Sequence, residues 1–126
     1  ESRLSLKNLD PSLLMWDMRR NLNPAPLPEA RTVIQFLYSD LPSTQCDWWL
    51  VIEPAGDVDL CWSDPGFEVD LYVSTDLRTM TAIWMGVTTV ERERDKIDLS
   101  GSRGIASSMQ QWLGLSPFAV EPKLVS

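Results

Sequence analysis

No histidine occurs in the 126 residues. That removes the commonest general base, the hydrolase triads built around an imidazole, and imidazole-based zinc sites. Cysteine is nearly absent as well: Cys46 and Cys61 cannot form a Cys-rich metal centre by themselves. The phosphate-cradling patterns GxxxxGK(S/T) and GxGxxG are missing. No apolar run approaches the roughly 18 residues that span a bilayer, and the opening stretch ESRLSLKNLD lacks the basic-then-apolar layout of a secretory signal. Positive charge is scarce too, with 11 Lys and Arg against 18 Asp and Glu, a net charge of -7 and a pI near 4.4. Nucleic-acid binding depends on neutralising phosphates, and anionic membrane surfaces attract basic segments, so neither partner is expected of this chain. These absences point away from catalysis and from any cofactor, and towards a domain that binds.

What is present is ordinary in bulk and unusual in detail. Apolar residues make up 44% and charged residues 23%, a globular composition. The length fits one domain over residues 1–126, with a core over 9–118 and an extended tail over 119–126. The first residue is Glu rather than Met, and a domain cut from a longer parent is expected. With no secretion signal, free thiols in a cytoplasmic protein are the expected state of Cys46 and Cys61. Six Trp and five Met stand out. Bulky indoles and soft thioethers serve either to fill a core or to wall an apolar pocket, and composition leaves both open.

Periodicity sketches the elements. Asp10-Pro11 is a helix start, with Asp as N-cap and Pro in the first turn. The helix runs to Asn21 with Leu14 and Met18 on one face, Leu13 and Trp16 beside it, and an Asp17–Arg20 pair on the outer face. Pro24, Pro26 and Pro28 make a stiff connector. Arg31 to Tyr38 reads as a strand with Ile34, Phe36 and Tyr38 on one face. A second strand, Asp47 to Glu53, and a third through Val58, Leu60 and Trp62 flank the turn Pro54-Ala55-Gly56. Their register sets Trp48 opposite Trp62, Leu50 opposite Leu60 and Ile52 opposite Val58, and puts Cys61 opposite Trp49 with Cys46 beyond Ser63. Val69, Leu71 and Val73 form the apolar face of a fourth strand. Thr75 and Asp76 cap a helix carrying Leu77, Met80 and Trp84 and closed by Gly86. Thr88 to Asp95 reads as a short charged helix, Ile97 to Leu99 as a fifth strand closed by Gly101, and Ser102 to Leu113 as a last helix stopped by Gly114. Strands joined by short turns with helices gathered to one side make an α+β fold, a mostly antiparallel five-stranded sheet with helices packed on one face.

Carboxylates are the remaining candidates for chemistry. Asp57, Asp59, Asp64, Glu68 and Asp70 cluster around the third and fourth strands. A paired acid and base, or a calcium site, is one reading; turn residues and a solvated strand face are the other. Their spacing matches no calcium loop. Asp70 stands apart because it sits inside an apolar strand. The mixed run Glu91 to Lys96 reads as a solvated face or a docking surface.

The stretch Asp64-Pro65-Gly66-Phe67-Glu68-Val69-Asp70-Leu71, followed by Thr75-Asp76-Leu77-Arg78-Thr79-Met80 and Trp84-Met85-Gly86, resembles the sterol carrier protein type 2 family. The opening Leu9-Asp10-Pro11 with Leu14-Met15-Trp16-Asp17-Met18-Arg19-Arg20 resembles the version of that domain found after the winged helix of HxlR-type bacterial transcription regulators. So does the closing Trp112-Leu113-Gly114-Leu115-Ser116-Pro117-Phe118. The resemblance implies a lipid-accepting apolar cavity between sheet and helices and no catalytic residues. Joined to the wealth of Trp and Met, it implies an effector-sensing domain for a hydrophobic small molecule such as a fatty acid or an aromatic metabolite. The lining expected is Trp16, Trp49, Leu71, Met80, Trp84, Met109, Trp112 and Phe118, with Arg19 or Arg20 meeting a ligand carboxylate at the mouth. The alternative is a structural module with a filled core, associating as a homodimer.

Overall fold

The computed structural model describes residues 10–114; Phe118, the expected tail and Leu9 lie outside the described residues. Helix α1, Pro11–Asn21, begins as its sequence requires: the Asp10 carboxylate accepts the N–H groups of Ser12 at 2.9 Å and Leu13 at 3.2 Å, and Pro11 occupies the first turn. Its buried face is Leu14, Met15, Asp17 and Met18. Asp17, expected on the outer face, therefore turns inward, while its partner Arg20 reaches it at 3.2 Å from the exposed side. The helix is rotated because it packs on both β3 and α2, which no single-helix periodicity can specify.

Strands β1 (Thr32–Tyr38), β2 (Asp47–Ile52), β3 (Val58–Cys61), β4 (Leu71–Thr75) and β5 (Asp98–Gly101) form one sheet in the order β3-β2-β1-β4-β5. The β2–β3 register matches its expectation, with Trp49 opposite Cys61, Leu50 opposite Leu60 and Ile52 opposite Val58. Three ladders are antiparallel; β1 and β4 run parallel, Ile34 opposite Leu71 and Phe36 opposite Val73. A mixed sheet results. Strand β4 starts at Leu71, two residues later than its apolar pattern suggests, because Asp70 is held at the edge of β1: its N–H donates to Val33 O at 2.8 Å and its carboxylate accepts the Val33 N–H at 2.8 Å. Val69 lies before this clamp and packs on the opposite face with Val33, Trp49 and Val51. Asp70 thus owes its place in an apolar stretch to a backbone partner.

Helix α2, Leu77–Trp84, follows β4 directly. Its start gathers two carboxylates: Asp40 accepts the Leu77 N–H at 3.1 Å, and Asp76 accepts the Thr79 hydroxyl at 2.6 Å and the Thr79 N–H at 3.0 Å. Burial alone pushes the Asp76 carboxyl up, yet the bonds from Thr79 outweigh it and hold the group below its usual range. A depressed folded pKa stabilises the native state fully above the unfolded value near about 4, and that stabilisation fades as pH falls through the folded value. Asp76→Asn, which has one acceptor oxygen where the carboxylate uses both and carries no charge, is therefore expected to lower the melting temperature at pH 7 and to draw level with the parent below about pH 4; thermal melts at pH 3 and pH 7 check it.

Two expected helices are corrected. Residues 88–95 form turns, with only a short 3-10 turn at Arg94–Lys96. Val90 is their one buried apolar side chain, so no stripe exists to hold a helix on the core. The last helix is broken into α3, Arg103–Ser107, and α4, Met109–Leu113. At the break, the Ser108 hydroxyl donates back to Gly104 O at 3.0 Å and Ile105 O at 3.2 Å, competing with the helical ladder. Leu14, Met18, Leu77, Met80, Ile83, Trp84, Ile105, Met109 and Trp112 from the helices join Ile34, Phe36, Leu50 and Val73 from the sheet in one core. All four helices thus pack on one face of the sheet, giving an α+β architecture.

Candidate functional site

The residues expected to line a cavity divide into three groups. Leu71, Met80, Trp84, Met109 and Trp112 converge in the core between sheet and helices, and each is at 0% exposure. Four methionines, Met15, Met18, Met80 and Met109, are fully buried within this region. Trp112 is anchored, its indole N–H donating to Ile105 O at 2.8 Å and so tying α4 to α3. Trp49, by contrast, stands on the other face of the sheet with Val33 and Val51, because its neighbours Trp48 and Leu50 in β2 face the core and strand side chains alternate. It cannot share a chamber with Met80. Phe118 lies outside the described residues.

The third group sits at the surface end of α1. Trp16 is partly exposed and its ring lies 6.4 Å from that of Trp62, tilted by 57°. The Arg19 guanidinium rests 5.4 Å from the Trp16 centroid, a cation–π distance. Arg20 is instead committed to Asp17. Trp62, expected opposite Trp48 inside the sheet, falls one residue past the end of β3 and is 64% exposed. Together with Trp48, Asp10, Pro11, Ser12, Thr44 and Gln45 it lines an open groove of about 390 Å³. The groove's floor, Trp48, is itself a member of the core, with its indole N–H bonded to Gln45 O at 2.7 Å. The alternation of β2 and β3 already set Trp48 and Trp62 on one face; that α1 would leave the second uncovered had no sequence signal.

The chemistry available is apolar contact and hydrogen bonding. Asp57, Asp59, Asp64 and Glu68 are exposed, and Asp64 caps its own turn by accepting the Gly66 N–H at 2.8 Å. Among the described residues no three His, Cys, Asp or Glu side chains gather as a metal site. Both cysteines are free; burial, helped by Asp47 beside Cys46 and Asp59 beside Cys61, pushes both thiols up. Three polar groups of the interior are poorly satisfied. The buried Tyr38 hydroxyl donates to the Met15 thioether, a weak acceptor, at 3.0 Å, while Thr81 Oγ1 and Trp84 Nε1 have no partner among the described residues.

No family model and no curated protein matches the sequence. Solved structures do match, and they define the class of fold first: the sheet and helices are those of a sterol carrier protein 2-like domain. The sterol carrier protein 2 like 2 of Aedes aegypti aligns at a TM-score of 0.54 and 18% identity, covering 79% of this chain and 93% of that one. Sterol carrier protein 2 of Yarrowia lipolytica, in its apo form, aligns at 0.54 and 13%, covering 89% and 95%. The inverting sec-alkylsulfatase Pisa1 from Pseudomonas sp. aligns at 0.64 and 15%, over 95% of this chain. This chain spans 18% of that alkylsulfatase, so the likeness concerns one part of a larger protein.

Proposed function

We propose that this chain is a non-catalytic domain that takes a hydrophobic, lipid-like small molecule between its sheet and its helices. The observation that carries the reading is the composition of the interior: four fully buried methionines and two fully buried tryptophans under the helices of a sterol carrier-like fold. Methionine has three rotatable bonds and repacks at low cost, so these four side chains can give way around an acyl chain more readily than the branched ones beside them. The Trp48–Trp62 groove supplies an entrance, and Trp16 with Arg19 stands beside it. The Aedes aegypti relative has been solved in palmitated form, which supports a ligand carrying an acyl chain here. In the finer reading the domain is the effector-sensing part of an HxlR-type bacterial transcription regulator, as the motifs at its two ends suggest; a reading frame continuing upstream into a winged helix tests this. The alkylsulfatase likeness favours a second reading for the parent, a larger enzyme in which the domain binds without catalysing.

Native mass spectrometry and tryptophan-fluorescence titration with fatty acids and aromatic metabolites test the binding itself. A one-to-one adduct with a shifted emission is the expected result. Uniformly null binding overturns the proposal and leaves a structural module with a filled core.

A further inference from the structure

The interior is short of hydrogen-bond acceptors and rich in idle donors. Tyr38, at the end of β1, is fully buried and among the described residues has only the Met15 sulfur as partner. Burial pushes its phenol far above the usual range, so it remains a protonated donor at any ordinary pH. Thr81 and Trp84 lie three residues apart on α2 at 1% and 0% exposure, and neither the hydroxyl nor the indole N–H is bonded among the described residues. Tyr38, Met15 and Trp84 belong to one contiguous core, and α1 packs on α2. A buried polar group without a partner is unfavourable, and native interiors keep few of them. Two without a partner among the described residues, and a third held only by a thioether, in one small interior ask for an acceptor from outside the chain.

The charge of that acceptor follows from what surrounds it. Among the described residues the only buried charged side chain is Asp17, which is acidic; no Lys or Arg is buried. An anion drawn into this interior would lose its hydration with no cation to replace it. Arg19 and Arg20 stay on the outer side of α1, the first over Trp16 and the second on Asp17. We infer that the ligand is a neutral amphiphile whose ester, ketone or similar uncharged oxygen is received by the donors of Tyr38, Thr81 and Trp84, with its hydrocarbon part among the buried methionines. This rests on the binding function proposed above and narrows its ligand to oxygenated neutral lipids rather than free fatty acids.

Three probes of matched length separate the possibilities: methyl decanoate, decanoate at pH 8, and undecane, each titrated into the full chain while the Trp84 indole N–H resonance is followed by NMR. Methyl decanoate is expected to bind at least about tenfold more tightly than either of the others and to move the Trp84 indole proton downfield, which undecane should not do. Thr81→Val, which removes the hydroxyl at nearly constant shape, should weaken the ester about three- to tenfold and leave undecane unchanged, and Trp84→Phe should lower the ratio of ester to undecane affinity by a similar factor. Thr81→Val should also melt no lower than the parent, since it removes an unbonded hydroxyl at constant shape, so loss of folding cannot imitate the result. Equal binding of ester and undecane with an unmoved Trp84, or tighter binding of decanoate, overturns the inference and leaves the hydrophobic binding function standing. Failure of all three probes to bind overturns both.

Discussion

Trp112→Ala is expected to lower the stability of the domain by about 3–5 kcal/mol, the cost of emptying a fully buried aromatic site. Trp112 is at 0% exposure among Met109, Trp84 and the helical ends, so solvent offers no compensation. Two further ties make the site unforgiving. The indole N–H holds Ile105 O at 2.8 Å across the break between α3 and α4, and Trp112 O accepts the Asn23 N–H at 2.9 Å, fastening the connector after α1. With total stability of order 5–15 kcal/mol, such a loss takes a large share of the whole. A fall of more than about 10 °C in the melting midpoint is expected by circular dichroism. Trp112→Phe separates the contributions: it keeps most of the volume, and Ile105 O retains the Ser108 hydroxyl at 3.2 Å. It should cost less than half as much as alanine. Equal losses for the two would mean that the indole hydrogen bond, not packing, dominates.

Gly101→Val is expected to destabilise the edge of the sheet by roughly 2–3 kcal/mol. Gly101 ends β5 with φ +123, a region that side-chain-bearing residues rarely adopt, and an added Cβ would run into the carbonyl oxygen of Asp70. That oxygen cannot simply move. It accepts the Ser102 N–H at 2.8 Å, while the rest of Asp70 is clamped to Val33 on β1 by two bonds of 2.8 Å. Strain at residue 101 is thus passed to the start of both β4 and β1. Hydrogen exchange should show the amides of β5 and of the facing part of β4 opening faster than the β1–β2 ladder. Gly104→Ala is the control, because its Cβ meets nothing within 4 Å inside α3 and should stabilise by about 0.5–1 kcal/mol. A variant at 101 that melts with the parent would remove Asp70 as the joint between the strands.

The structure is a lesson in how far short-range pattern reaches. Asp10-Pro11 and Asp76 announce α1 and α2 because a cap is a bond between neighbours, satisfied within three residues of itself. The β2–β3 register was legible from alternation and a short turn for the same reason. Met80, Trp84, Met109 and Trp112 were legible as interior from helical spacing, although that spacing could not say whether the interior would be open or closed. The residues at the edges of the argument were less readable. Residues 88–95 carry a charge at every position from Glu91 to Asp95 and no apolar stripe, so propensity had nothing to correct it. The break at Ser108 depends on a hydroxyl choosing the backbone over solvent.

What the sequence by itself determined is therefore the inventory: the strand faces, two helix starts, an interior of Trp and Met, and the lack of any histidine-based chemistry. Only the tertiary structure decided the assembly. It set β4 parallel to β1 through the Asp70–Val33 clamp, a contact between residues 37 apart that periodicity cannot see. It rotated α1 so that Met15 and Asp17 point inward, and left Trp62 outside beside Trp16. It put Trp49 on the far face of the sheet, and it enclosed Tyr38 against a thioether and Thr81 and Trp84 with no hydrogen-bond partner among the described residues. Local bonds and side-chain periods are written in neighbouring residues. Which elements meet, and which polar groups are left without partners, depends on the whole chain folding at once.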